Sequence, residues 1–302
     1  MTDTKNAWAD FWARQGPVGA TGCLPAQWQS VFAVLESRWR GIAQGLPPGA
    51  RVLDLATGDA RVLHWMGLAN PGLERTGVDL SPNLPPGPAG VDIRAGVAME
   101  QLPFEDGAFD AVVSQFGVEY GETAGVAAEV ARVARADAPI AFVVHRGDGA
   151  ILAHNLARAE QIRWVLDEIG LIGATRTAIE NEAAPWEQAT AMVAARVSEG
   201  RQRYGDRSAG WEIPEAVRRS LIMGARAGDS ARGVGGLLAS IESQARNELA
   251  RIASLEHACQ AADAREQFLG AFSDAGLSLS RSEELHDAAG RLFAEMAYFR
   301  HA

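Results

Sequence analysis

The chain has 302 residues, 47% hydrophobic and 22% charged, which suits a soluble globular protein with one large core or two smaller ones. Its formal net charge of -10 argues against a nucleic-acid backbone as the main partner, because phosphate binding needs a basic face. Lys5 is the only lysine, which excludes lysine Schiff-base catalysis, a P-loop lysine and a Tyr-x-x-x-Lys dehydrogenase site from the folded body. Cys23 and Cys259 make no CxxC pair, no signal-like apolar segment follows Met1, and no apolar run approaches the ~18 residues of a membrane span. A reduced, cytoplasmic setting is the expectation.

In chain order, the N-terminal stretch with Trp8, Phe11, Trp12, Trp28 and Trp39 is expected to be helical and to pack across the domain that follows. ARVLDLA (50–56) is a buried strand leading to a helix over about 60–69, and RTGVDL (75–80) is the next strand, ended by the Pro-rich SPNLPPGPAG. VDIRAG (91–96), AFDAVVSQF (108–116) and PIAFVVH (139–145) follow as strands, with a helix at about 123–136. This alternation is that of a parallel α/β sheet. From about 147 to 263 the pattern turns helical, with Leu238, Ile241, Ala245, Leu249, Ile252 and Leu255 at three- and four-residue spacing and turn-rich breaks near 204–214 and 224–236. A short helix at 265–276 and two strands, 277–285 and 291–302, then restore the α/β rhythm. The expected organisation is an N-terminal helical segment (1–44) covering the site, an α/β domain (45–146 with 264–302), and an inserted helical cap (147–263) serving as lid, dimer seam or both.

The loop after the first strand, within VLDLATGDA (52–60), raises the functional question. A pyrophosphate needs close backbone approach, hence G-x-G-x-x-G in dinucleotide sites. Here only Gly58 is a glycine; Ala56 and Ala60 hold the flanking steps, and Asp59 adds negative charge. A ligand with an ammonium and a carboxylate and no diphosphate suits the loop better, and S-adenosylmethionine is such a ligand. Asp54 would attract the ammonium, and backbone N–H groups at the helix start would receive the carboxylate. Asp79 ends the second strand, where an acid can accept hydrogen bonds from both ribose hydroxyls.

VLDLATGDA, TGVDLSPN, GVAMEQLPFEDGAFDAVVSQFGVEY and AAEVARVARADAPIAFVVH, taken together and in this order, resemble the successive motifs of class I S-adenosylmethionine-dependent methyltransferases, nearest in flavour to the quinone and small-molecule branch. The resemblance covers about 45–146, and the closing helix and strands fit the same fold. It implies a Rossmann-like seven-stranded sheet of order 3-2-1-4-5-7-6, with helices on both faces and the last-formed strand antiparallel. It places Asp54, Ala56, Gly58 and Ala60, with Thr57 and Asp59 of the same loop, around the methionine moiety, Asp79 on the ribose and Leu80 against adenine. Ala98 and Met99 would flank the adenine, and Gln115 and Phe116 would lie beneath the sulfonium. Val97 stands where the family usually has an acid for the adenine amino group. Asp137-Ala138-Pro139 replaces the usual Pro-Gly turn before the fifth strand.

Methyl transfer from a sulfonium is an in-line displacement with a neutral leaving group, so alignment is the protein's main task. An oxygen or nitrogen acceptor adds a proton to remove. His145, at the end of the fifth strand, is the first candidate for that base, with Glu119 and Tyr120 as further candidates on the substrate side. His154 and Asn155, opening the insertion, are candidate substrate contacts. His64 reads as a packing residue, and Cys23 as structural. No His/Asp/Glu cluster has metal-ligand spacing, so no metal is expected. The expected function is methylation of a small or medium-sized organic acceptor, oxygen ahead of carbon or nitrogen, with a homodimer through the cap as an open option. The alternatives are a non-catalytic relative of the same fold and, more weakly, a nicotinamide oxidoreductase.

Overall fold

The computed structural model describes residues 2–15, 28–180 and 186–302, so Cys23 lies outside the described residues. In chain order the elements begin with α1 (Thr2–Ala13), α2 (Gln29–Gln44), β1 (Arg51–Leu55), α3 (Arg61–Ala69), β2 (Glu74–Asp79), β3 (Val91–Ala95) and β4 (Ala111–Gln115). There follow α4 (Thr123–Val133), β5 (Ile140–His145), α5 (Ala150–Arg163), α6 (Leu171–Glu180), α7 (Trp186–Tyr204), α8 (Ala209–Ala227) and α9 (Ala231–Asp263). The last are α10 (Arg265–Asp274), β6 (Leu277–His286) and β7 (Leu292–His301). Among the described residues, no helix is long and apolar enough to cross a membrane.

The seven strands form one sheet in the order β3-β2-β1-β4-β5-β7-β6. β1 to β5 pair in parallel, and β7 runs antiparallel between β5 and β6. Successive side chains of a strand face opposite sides, and the central strands are apolar on both. Val52, Val113 and Val143 join Leu35 and Trp39 of α2 and Leu63 and Met66 of α3 in one core. Leu53, Val112 and Phe142 join Val126 and Val130 of α4 and Phe268 and Phe272 of α10 in the other. Near-continuous apolar strands are therefore what a doubly covered sheet requires.

Chain contacts divide the protein into two compact units, Met1–Ala153 with Ala253–Ala302, and His154–Ile252. The second unit has its own core, including Trp164, Ile172, Val193, Val217, Leu221 and Leu238. Arg158 there pairs with Glu212 and Glu248. The break expected near 204–214 is shorter: Ser208 caps α8 by accepting from the Trp211 amide, and Pro214 sits inside the helix. Sixth in the helix, Pro214 lacks the amide that would bond to the Gly210 carbonyl, so α8 gives up one intrahelical hydrogen bond there.

Asp54 of β1 lies opposite Gly77 of β2. A Cβ on Gly77 would fall 2.6 to 2.8 Å from the side-chain atoms of Thr57, so the glycine makes room for the loop that follows β1. Gly77→Ala should lower stability by about 1–3 kcal/mol through this overpacking, read as a reduced urea midpoint with an unchanged m-value.

Candidate active site

The site is built at the carboxyl ends of β1, β2, β4 and β5, where an open parallel sheet offers its crevice. The turn after β1 is left-handed at three positions: Ala56 (φ 53), Gly58 (φ 52) and Ala60 (φ 57). The backbone thus keeps the shape that glycines would give, while two of the three residues are alanines, each strained by roughly 1–2 kcal/mol. Three N–H groups tie the turn down. Thr57 donates to the Val78 carbonyl (2.9 Å), Gly58 to Asp79 Oδ2 (3.0 Å), and Ala60 to the Thr57 carbonyl (2.8 Å).

Asp54 is 1% exposed. Its Oδ2 accepts from the Thr57 hydroxyl at 2.6 Å, and its Oδ1 has no hydrogen-bond partner among the described residues. Burial pushes the carboxyl up to about 8, against the lowering effect of Thr57, with Asp79 and Asp59 adding repulsion. A buried carboxyl with one oxygen unmatched suits a cation. Asp79 is also buried, and desolvation raises it despite backbone hydrogen bonds from Ser81 (2.8 Å, to Oδ1) and Gly58. Each carboxylate oxygen keeps lone-pair capacity beyond these bonds.

Next to Asp79, Leu80 is 47% exposed, unusual for a leucine beside a buried strand end. The Val97 N–H donates to the Asp79 carbonyl and the Gly96 N–H to that of Ser81, which brings Val97, Ala98 and Met99 alongside. Met99 is buried in the core, and Val97 packs against it. Asp59 faces Arg61, accepting from its Nη2 (2.7 Å), Nε and backbone N–H (both 3.2 Å). The Arg61 guanidinium in turn lies over the Phe32 ring, 4.9 Å from its centroid. The N–H of Arg61, expected to be open at the helix start, is therefore taken by an acid of the chain itself, which the positive helix end attracts.

At the ends of β4 and β5, Gln115 Oε1 accepts from Trp39 Nε1 at 2.8 Å. Phe116, at φ 57, stacks on His145 with centroids 4.2 Å apart. Glu119 is 2% exposed; its Oε1 accepts from the His145 backbone N–H (2.9 Å) and lies 2.8 Å from His145 Nδ1. Its Oε2 is buried without a hydrogen-bond partner among the described residues. Two residues expected to face the substrate separately are thus a carboxylate–imidazole dyad. Tyr120 meets the His145 ring edge-on at 5.9 Å and meets Trp8 of α1 at the same separation.

Trp8 and Trp12 stack at 6.4 Å, and Phe11 packs against both. A Cβ on Gly58 would lie 2.5 Å from Cη2 of the Trp12 indole, so this ring rests on the glycine of the turn. Residues 8, 11 and 12, aromatic and at the spacing of one helix face, are the signal in the sequence for this contact of α1, which was expected to cover the site but not through any particular residue. His154 and Asn155 open the second compact unit, where burial and the Arg158 charge lower the imidazole of His154. His64 stands on α3 and lines a shallow pocket with Arg75 and the loop 86–89. Among the described residues, no group of three or more His, Cys, Asp or Glu could hold a metal.

Residues 53–142 match a family model described as a methyltransferase domain. These residues are a methyltransferase domain. Its strand order is the one implied for class I S-adenosylmethionine-dependent enzymes. Among solved structures, the methyltransferase domain is similar to the YcgJ protein of Bacillus subtilis, at 20% identity over 45% of this chain and 58% of that one, with a TM-score of 0.33. The chain also resembles geranyl diphosphate C-methyltransferase of Streptomyces coelicolor, at 12% identity over 99% of this chain and 98% of that one, TM-score 0.45. A third likeness is to the methyltransferase in complex with the Haloferax volcanii Trm112 activator, at 13% identity over 90% of this chain and 95% of that one, TM-score 0.42. No curated protein matches the sequence.

The left-handed turn makes a ranking of side chains at position 56 a direct test of this geometry. Ala56→Gly should change stability by less than about 1 kcal/mol, relief of strain offsetting glycine's entropy. Ala56→Val should lose about 2 kcal/mol or more, because a β-branched residue is an outlier at positive φ. Thermal denaturation of the three proteins checks the order.

Proposed function

We propose that the chain transfers the methyl group of S-adenosylmethionine to a hydroxyl of a small or medium-sized organic acceptor, with an amine as the next acceptor in line. The observation that carries this reading is the buried Glu119–His145 dyad stacked on Phe116, on the strands adjoining the cofactor loop. Bound S-adenosylmethionine supplies an electrophilic methyl carbon and a leaving group that departs neutral. Asp54, with one unmatched buried oxygen, would hold the ammonium. Ala56, Gly58 and Ala60 would give the methionine chain its room, with Thr57 and Asp59 holding the loop through Asp54 and Arg61. Asp79 would take the ribose hydroxyls. Leu80, Ala98 and Met99 would enclose the adenine, which Val97 leaves to packing and backbone groups. Gln115 and Phe116 would support the sulfonium end.

As the acceptor oxygen bonds to the methyl carbon and the carbon–sulfur bond breaks, the acceptor proton must leave. An ionised Glu119 accepts from Nδ1–H of His145, which leaves the Nε2 lone pair to take that proton. The same hydrogen bond orients the ring, as a carboxylate does for any imidazole base. A carboxylate acceptor needs no such base, so the dyad favours a hydroxyl over it. Tyr120, edge-on to His145, would line the acceptor side.

Isotopically labelled S-adenosylmethionine, incubated with the protein and a metabolite extract, should yield a labelled product by mass spectrometry. A folded protein that binds no S-adenosylmethionine by calorimetry would sink this reading. With the acceptor found, His145→Ala should reduce kcat about 10²–10⁴-fold while cofactor affinity stays within about twofold of the parent, since a base acts on the acceptor alone. Cofactor affinity should itself depend on pH. Asp54 is protonated below about 8 and must ionise to pair with an ammonium, so binding expels a proton. The dissociation constant should therefore fall with rising pH up to about 8, by up to about tenfold per unit, and stop falling where the ligand's own ammonium begins to lose its proton. Calorimetry in buffers of different ionisation enthalpy counts the proton; a flat profile from pH 6 to 8 contradicts the Asp54 assignment.

A further inference from the structure

Trp12 is 9% exposed, and its indole covers the Cα of Gly58, the central residue of the left-handed turn. It does not act alone. Trp8 stacks on it one helical turn away, Phe11 packs on its edge, and Trp8 continues the aromatic surface to Tyr120 and so to His145. The turn that the Trp12 ring covers follows Asp54, contains Asp59 and donates its Gly58 amide to Asp79; Asp59 pairs with Arg61, and among the described residues Asp54 and Asp79 have no ion-pair partner. An indole on a loop tied to two buried acids is an arrangement that attracts an organic cation, since the ring quadrupole favours positive charge beside it and the acids do so once a cation draws off their protons.

We propose that Trp12 is a cofactor-binding residue that recognises the positively charged methionine tail of S-adenosylmethionine through its indole face. This rests on the cofactor reading above. A ligand following the turn from Ala56 to Ala60 meets Gly58 and hence the ring that lies on it. The missing Cβ of Gly58 leaves room for the indole, which accounts for a glycine at 58 between the alanines at 56 and 60. An indole that only filled space could be replaced by any apolar side chain of similar reach; one that reads charge cannot.

Calorimetric titration of the full chain, its Trp12→Phe variant and its Trp12→Leu variant separates the two roles, with circular dichroism confirming that each is folded. Two ligands are used: S-adenosylmethionine, and 5′-methylthioadenosine, which keeps the nucleoside but lacks the charged tail. Trp12→Leu should weaken S-adenosylmethionine about tenfold, and Trp12→Phe by about threefold or less, because phenylalanine keeps a π face. Affinity for 5′-methylthioadenosine should stay within about twofold of the parent. The proposal is overturned if Trp12→Leu binds S-adenosylmethionine as well as the parent or more tightly, or if both ligands weaken equally. If the parent itself fails to bind S-adenosylmethionine, the cofactor reading falls together with this one; a parent that binds and a Trp12→Leu variant that does not differ overturn this one only.

Discussion

The hydrogen bond from the Gly58 amide to Asp79 Oδ2 ties the turn after β1 to the acid that ends β2, and the site is arranged around it. The turn after β1 has few side chains with which to hold itself, because its residues are small. It is held instead by groups at the end of β2: the Val78 carbonyl takes the Thr57 amide and the Asp79 carboxylate takes that of Gly58. Asp79 in turn fixes its own loop through the Ser81 amide, and its carbonyl receives Val97 from the loop after β3. One buried acid therefore sets the relative positions of three loops. Burying it is costly, as its raised carboxyl shows, and the backbone donors offset part of that cost.

The same economy appears on the other side of β1. Glu119 is fully enclosed, yet one of its oxygens organises both the backbone and the ring of His145. Phe116 accepts a left-handed backbone to stack on that ring. Strain of this kind persists where the surrounding structure over-determines it, and here two alanines and a phenylalanine carry it within one crevice. The unmatched oxygens of Asp54 and Glu119 belong to the same pattern: polar capacity is left open near the chemistry rather than spent within the fold.

Much of this was legible from residue order. The apolar strands, buried on both faces, and the return of the α/β rhythm after a long helical stretch were visible in the pattern of apolar residues, and the sheet agrees strand by strand. The shortage of glycines around Gly58 argued against a diphosphate loop, but it did not reveal that Ala56 and Ala60 would still take glycine's conformation. Glu119 and His145 are 26 residues apart, and nothing in their local sequence says that they share a hydrogen bond. Asp59 reads as a free acid in sequence and is a paired one in space, because Arg61 is two residues along on the same turn.

Sequence alone determined the class of fold, the order of its elements and the presence of a single lysine, Lys5, and it marked the loop at 52–60 as short of glycines. Those follow from periodicity, composition and local charge, which need no knowledge of what lies across the sheet. Tertiary structure alone decided which acid holds which amide, which carboxylate orients the imidazole and which indole rests on the glycine. Each of those pairs joins residues brought together by strand order and helix packing, and such contacts leave no mark on the neighbouring residues of either partner.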